Sequence, residues 1–383
     1  MTWKILGSLL AAGTLQPAPA LATPAQDARD YRARIAALDD AGPELDAVIV
    51  AADADEAARA AAAAAGLPLA GRTVLVKDNI ETREWPTTAG SLALAANDAR
   101  RDAPLVARLR ASGGVVLGKT NLSEWANIRS DDSISGTQDT AGPMTRNVAD
   151  AAQLLNAIAG SDPADAATAE ADRRKVDYTA GLATASLQGV RIGVLRKQAG
   201  NDARVTAVFD AAKRDLERAG AVLVDIDYDW PDGFWNRSLS VLLFELRRDM
   251  NAYLATLSGR EVPRTLAEVV AFNRANAERE LRWFGQELFE QALEATDEAA
   301  YLKARDTNLA ATRAGGIDKL LADNKVAFLI APTTGPAWAT DLLNGDNFGG
   351  GIGAGSLAAI AGYPHLTVPM GAVEGLPIGL SFM

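Results

Sequence analysis

Thr73-Val74-Leu75-Val76-Lys77-Asp78-Asn79-Ile80 is the stretch on which the reading of this chain turns. Four consecutive apolar or β-branched residues fit a strand covered on both faces better than a half-exposed strand, which would alternate. Lys77 and Asp78 then stand where that strand ends, and in an α/β sheet the strand ends are where sites collect. A lysine kept from water there loses the solvation that favours its ammonium form, and so becomes a base. The competing reading is a lysine that reaches solvent or pairs with Asp78.

Outward from this stretch the pattern repeats. Upstream, residues 25–40 mix Tyr31, Ile35, Ala36 and Leu38 with charges, which predicts an amphipathic helix, and Ala47-Val48-Ile49-Val50 predicts a buried strand. Residues 53–65 are mostly alanine, the strongest helix former, and Gly66 and Pro68 end that helix. Downstream, a helix over 103–111 runs into Gly113-Gly114, the strand Val115-Val116-Leu117 and a polar turn, Gly118-Lys119-Thr120-Asn121. The second half carries strands at 190–195, 221–224, 326–330 and 377–382, a helix over 203–219 and a long charged helical region over 235–313. Strands alternating with helices predict an α/β fold, a mixed β-sheet flanked by helices on both faces. No repeat or linker divides residues 23–383, which are read as one domain.

Composition narrows the chemistry. With 48% hydrophobic residues the chain can build a core, and 49 acidic against 38 basic residues argue against a nucleic-acid backbone as partner. There is no Cys and a single His, His365, which excludes thiolate nucleophiles, Cys-based zinc sites and H-E-x-x-H metalloproteases. No metal or cofactor is expected. Residues 1–22 have one basic residue, Lys4, a short apolar run from Ile5 to Leu15 and an Ala20-Leu21-Ala22 cleavage pattern. They read as a secretory signal cleaved after Ala22, which predicts a secreted or periplasmic product of net charge −12, one less than the −11 of the full chain. No other stretch has the apolar length of a membrane span.

Three features read as structural. His365, between Pro364 and Pro369, suits a hydrogen-bonded imidazole better than a general base. Gly349 to Gly355 lacks the G-K-[ST] ending of a phosphate cradle and reads as a loop. Glu287 and Glu290 lie on a charged helix face over 278–290 with i,i+4 pairs.

Several motifs in order resemble the amidase signature family, with wording closest to bacterial peptide amidases. They are Val74 to Ile80, Thr88-Ala89-Gly90-Ser91, Gly114 to Asn127, Gln138 to Arg146, Ala331-Pro332-Thr333-Thr334, and Gly362 through Met370. The resemblance implies hydrolysis of a carboxamide, such as a peptide C-terminal amide or another small amide, by a Ser–Ser–Lys triad. In that triad one serine attacks, a second relays its proton to a neutral lysine, and a glycine-rich turn binds the oxyanion. Motif matching makes Lys77 the lysine and Trp125, Asn127, Thr334 and Trp338 candidate substrate-wall residues.

The chain also departs from the family pattern. Ser133-Ile134-Ser135-Gly136 runs straight into Thr137-Gln138-Asp139-Thr140, where family members carry a long segment with both serines. No G-S-S-S-G or D-G-S run occurs, and Ser133 and Ser135 match the upstream edge of that segment, not the nucleophile or relay. The chain is therefore expected to be internally shortened near 136–137 and to hydrolyse amides weakly or not at all. The alternatives are a non-catalytic binding remnant and an unstable deletion product. Removal of a central layer predicts unpaired strand edges and exposed apolar faces. The residues do not determine the oligomeric state.

Overall fold

The computed structural model describes residues 22–127, 136–259, 261–339, 341, 343 and 351–383. The expected signal, apart from Ala22, and Ser133 and Ser135 lie outside the described residues, as does most of the glycine-dense loop before Gly351.

Among the described residues, eight strands form two sheets. β1 (Val48–Ala51), β2 (Thr73–Lys77) and β3 (Val115–Thr120) make the first, in the order β1-β3-β2, with β1 antiparallel and β2 parallel to β3. β4 (Arg191–Leu195), β5 (Val222–Ile226), β6 (Phe328–Pro332), β7 (Leu366–Val373) and β8 (Leu376–Phe382) make the second, in the order β5-β4-β6-β8-β7. β4 is parallel to β5 and β6, and the β7–β8 hairpin adds two antiparallel strands.

Each sheet is covered on both faces, as the alternation of helix and strand predicts. Val115 and Leu117 of β3 pack on Ala28, Ala57, Ala58 and Ala61 of the helices Pro24–Leu38 and Ala54–Ala63. These small side chains let the helices sit close. Val116 and Val76 point the other way, into Val106, Leu109 and Ala157 of the helices Pro104–Ala111 and Val148–Ile158. Successive β3 residues thus serve opposite faces. In the second sheet Ile192, Val194, Ile330 and Leu380 meet Phe209 and Ala212 of the helix Ala203–Arg218, while Leu329 and Ala331 meet Leu357, Ala358 and Ala361 of the helix Gly355–Ala361.

Three expectations need correction. β2 is not buried on both faces. It is an edge strand with only Val76 buried, because β3 pairs with one side of it and, among the described residues, nothing pairs with the other. Gly118-Lys119-Thr120 is not a polar turn but the end of β3, carried inward by pairing with β2 and by Gly118, where a Cβ would run into the backbone of Val50 on β1. The helical region is also broken. Phe234–Ala255 is followed after Pro263 by Leu266–Ala275, capped by Thr265, then by Glu287–Glu294 and Glu298–Thr312.

The stretch that begins at Gly136 is anchored to the longest of these helices. Glu245, fully buried on Phe234–Ala255, accepts hydrogen bonds from the Thr137 backbone N–H (3.1 Å), the Thr137 hydroxyl (3.0 Å) and the Tyr301 hydroxyl (2.7 Å).

Candidate active site

The motifs around Lys77 converge through Asp78. Asp78 is 1% exposed, and its carboxylate accepts from the Thr88 backbone N–H (3.1 Å) and hydroxyl (2.5 Å). Its backbone carbonyl accepts from Ala89, and the Ala89 carbonyl from Trp125 (2.7 Å). Thus the residues after β2, the Thr88–Ser91 turn and the Glu124–Asn127 turn form one assembly, although they lie up to 50 positions apart.

The centre of that assembly is a lysine that sequence reading passed over. Lys119 of β3 is fully buried. Its Nζ lies 3.0 Å from Asp78 Oδ1 and donates to the Ile80 carbonyl (2.9 Å) and the Thr87 hydroxyl (3.0 Å). Burial lowers its pKa below the ordinary lysine value, and hydrogen bonding and attraction to Asp78 oppose that shift. All three ammonium protons have acceptors, so Lys119 is a brace, with no lone pair turned to a substrate. A second layer holds the same loop. Asn97 donates to the Thr87 carbonyl and to Tyr253, whose hydroxyl donates to Glu81, and Glu81 pairs with Arg101. Burial raises the Tyr253 pKa, keeping it a donor.

Lys77 contrasts with its neighbour. It ends β2 exposed, and its ammonium makes no hydrogen bond or ion pair among the described residues. Among the described residues no water-free pocket encloses its side chain. Asp78, the expected alternative partner of Lys77, is bound to Lys119 instead.

The four expected wall residues separate. Trp125 is 3% exposed and packs edge-on against Phe289, with centroids 5.9 Å apart, among Leu246, Met250 and Leu266. It is a core residue whose backbone, at φ 53°, helps shape the turn. Asn127 closes that turn. Thr334 and Trp338 line one cavity of about 680 Å³ between β6, the start of the helix Ala203–Arg218 and the β7–β8 turn. The charges around that cavity are paired, Arg204 with Asp202 and Glu374, and Lys197 with Asp229. Asp202 caps the helix and binds Arg204, which holds its pKa at about 2. Neither Lys77 nor Trp125 lines this cavity. Among the described residues no group of three or more His, Asp or Glu side chains could hold a metal ion, and no helix is long and apolar enough to cross a membrane.

Comparison with known proteins gives a consistent result. The family model described as Amidase matches in two stretches, residues 29–137 and 132–383, which meet at 132–137. A probable amidase of Arabidopsis thaliana is 30% identical over 400 aligned positions, covering 82% of this chain and 73% of that protein. Since 82% of 383 residues is about 314, about 86 of those positions have no counterpart here. The structure of the native peptide amidase of Stenotrophomonas maltophilia is 36% identical, with a TM-score of 0.83, over 94% of this chain and 90% of that one. A peptide amidase structure with the competitive inhibitor chymostatin is 37% identical, with a TM-score of 0.85 and the same coverage.

Proposed function

The chain belongs to the amidase family, whose members hydrolyse amide C–N bonds, and on that premise we propose that it is a nearly silent peptide amidase. In this reading its ancestral substrates were C-terminal amides of peptides or similar small amides, and Lys77 is the retained base. The observation that carries the reading is the meeting of the two family matches at 132–137, beside a junction that lacks the G-S-S-S-G and D-G-S runs and whose downstream side Glu245 anchors. Loss of one member of a unit such as Ser–Ser–Lys removes several orders of magnitude in rate.

The test is ammonia release from a peptide amide by the purified chain. Release indistinguishable from buffer is expected. Turnover that disappears in Lys77→Ala would overturn the silence and show that a base still operates.

A second reading is favoured by the Thr334–Trp338 cavity, which has the volume of a small-molecule site. In it the chain keeps substrate binding without turnover. Calorimetric titration with a peptide amide is expected to give saturable heat that Trp338→Ala weakens, and no heat would remove this reading. We also infer export, on the Ala20-Leu21-Ala22 pattern. Sequencing of the mature amino terminus is expected to begin at Thr23, and a start at Met1 or Thr2 would reject export.

A further inference from the structure

On the outer strands of the five-stranded sheet, four side chains form an unbroken hydrogen-bonded chain that no amidase role absorbs. Ser381 of β8 is fully buried. Its Oγ lies 2.7 Å from His365 Nε2 and donates to Thr333 Oγ1 (2.9 Å), which lies 2.5 Å from Thr367 Oγ1. Thr367 faces Ser381 directly in the β7–β8 register, and Thr333, just past β6, is held by its backbone N–H on the Gly379 carbonyl. Gly379 makes the meeting feasible, because a Cβ there would strike both threonine hydroxyls.

The two ends of the chain differ from its middle. Ser381 is buried, whereas Thr367 and His365 are exposed. A network serving packing alone would enclose its ends. Hydroxyl protons rotate, so the polarity follows the imidazole tautomer. In the structure the single Ser381 hydroxyl proton points to Thr333; when it turns to Nε2, with the ring proton on Nδ1, that bond reverses, so that Ser381 accepts from Thr333 and Thr333 from Thr367. His365 is exposed as a residue, but its ring is part-buried where it meets Ser381, and that desolvation lowers its pKa, which keeps the ring an acceptor at neutral pH. Ionisable groups beside it are engaged with one another: Tyr363 donates to Asp318, and Arg313 lies over the Tyr363 ring.

We propose that Thr367 is an acyl-accepting nucleophile served by the Thr333–Ser381–His365 relay, a site for small activated carboxylic esters. Thr367 Oγ1 bonds to the ester carbonyl carbon, and the bond from that carbon to the leaving oxygen breaks, its electron pair departing with the phenolate. The Thr367 proton passes to Thr333, that of Thr333 to Ser381 and that of Ser381 to His365 Nε2. The imidazolium then gives a proton to the phenolate through solvent. The products are an acyl-threonine and a phenol. His365 acts through the two hydroxyls and is a positioning residue and proton acceptor.

The experiment treats the full chain with p-nitrophenyl acetate, follows nitrophenolate release and locates the acetyl group by peptide mass spectrometry. Acetyl on Thr367 is expected, with a rate that rises with pH through the ionisation of His365. Thr367→Val abolishes the adduct, and Ser381→Ala slows its formation roughly 10²-fold. His365→Gln slows it and also removes the pH inflection, which a merely structural role would leave in place. Acetyl confined to lysines or to His365 overturns the proposal, as does an unchanged rate in folded Ser381→Ala. Should Ser381→Ala fail to fold, the pH inflection and adduct position in the unaltered chain decide. Ammonia release from peptide amides is a separate readout, so acetylation of Thr367 stands or falls independently of the Lys77 reading.

Discussion

Two hydrogen-bonded clusters, one on each sheet, resolve the same difficulty in opposite ways. Around β2 and β3 the polar groups are sealed inside. Lys119 and Asp78 are buried, each with several partners, while Lys77 is left in water. Around β7 and β8 the buried member is a neutral hydroxyl, Ser381, and the reactive ends face outward. A buried charge demands complete pairing, and a completely paired group has nothing left for a ligand. A neutral hydroxyl tolerates burial with two hydrogen bonds and can pass a proton on. In this chain the charged cluster therefore braces the fold, and the neutral one retains chemical freedom.

The sharpest way to break that contrast is Asp78→Ala. It leaves the Lys119 ammonium buried without its counter-charge and is expected to cost about 3–5 kcal/mol, read from the denaturant midpoint. A shift under about 1 kcal/mol would mean that Lys119 reaches solvent and the brace is not one. Next in size, Leu329→Ala should cost about 2–5 kcal/mol by opening a cavity between the second sheet and the helix Gly355–Ala361, with β2–β3 contacts unaffected. Amide exchange would separate the two sheets, and uniform loss of protection would mean that they unfold as one unit.

A smaller effect comes with pH. The folded pKa of His365 lies below its unfolded value near 6.5, so as pH falls through that range the unfolded chain binds the extra proton first. Stability is expected to fall on acidification below about pH 6.5, and less so in His365→Gln. Identical pH curves for the two proteins would remove His365 from the buried network. Least of all, Lys77→Met should change stability by no more than about 0.5 kcal/mol, since its ammonium has no described partner to lose. A larger loss would place Lys77 in a structural role.

Local pattern made much of the architecture legible. The apolar runs at 115–117, 191–195 and 328–330 and the alanine-rich 54–63 announce their elements, because burial of neighbouring residues is written into neighbouring letters. What could not be read is non-local. Lys119 looked like a turn residue because its partner Asp78 is 41 positions away and the β2–β3 pairing that draws it inward has no local signature. The edge status of β2 depends on which strands are absent beside it, which its own five letters do not carry. Trp125 passed for a wall residue because motif position gives proximity but not direction, and its ring turns into the core. Ser381 offered no cue, since a serine in an apolar strand finds His365 and Thr333 only once β6, β7 and β8 are aligned.

The grip of Glu245 on Thr137 has a practical consequence. The entropy of closing a loop grows slowly, by about 0.6 kcal/mol for each doubling of its length. A cassette of tens of residues spliced in just ahead of Thr137 would find its downstream end already moored to a long helix through two hydrogen bonds. That position is thereby a grafting point, suited to libraries of foreign segments.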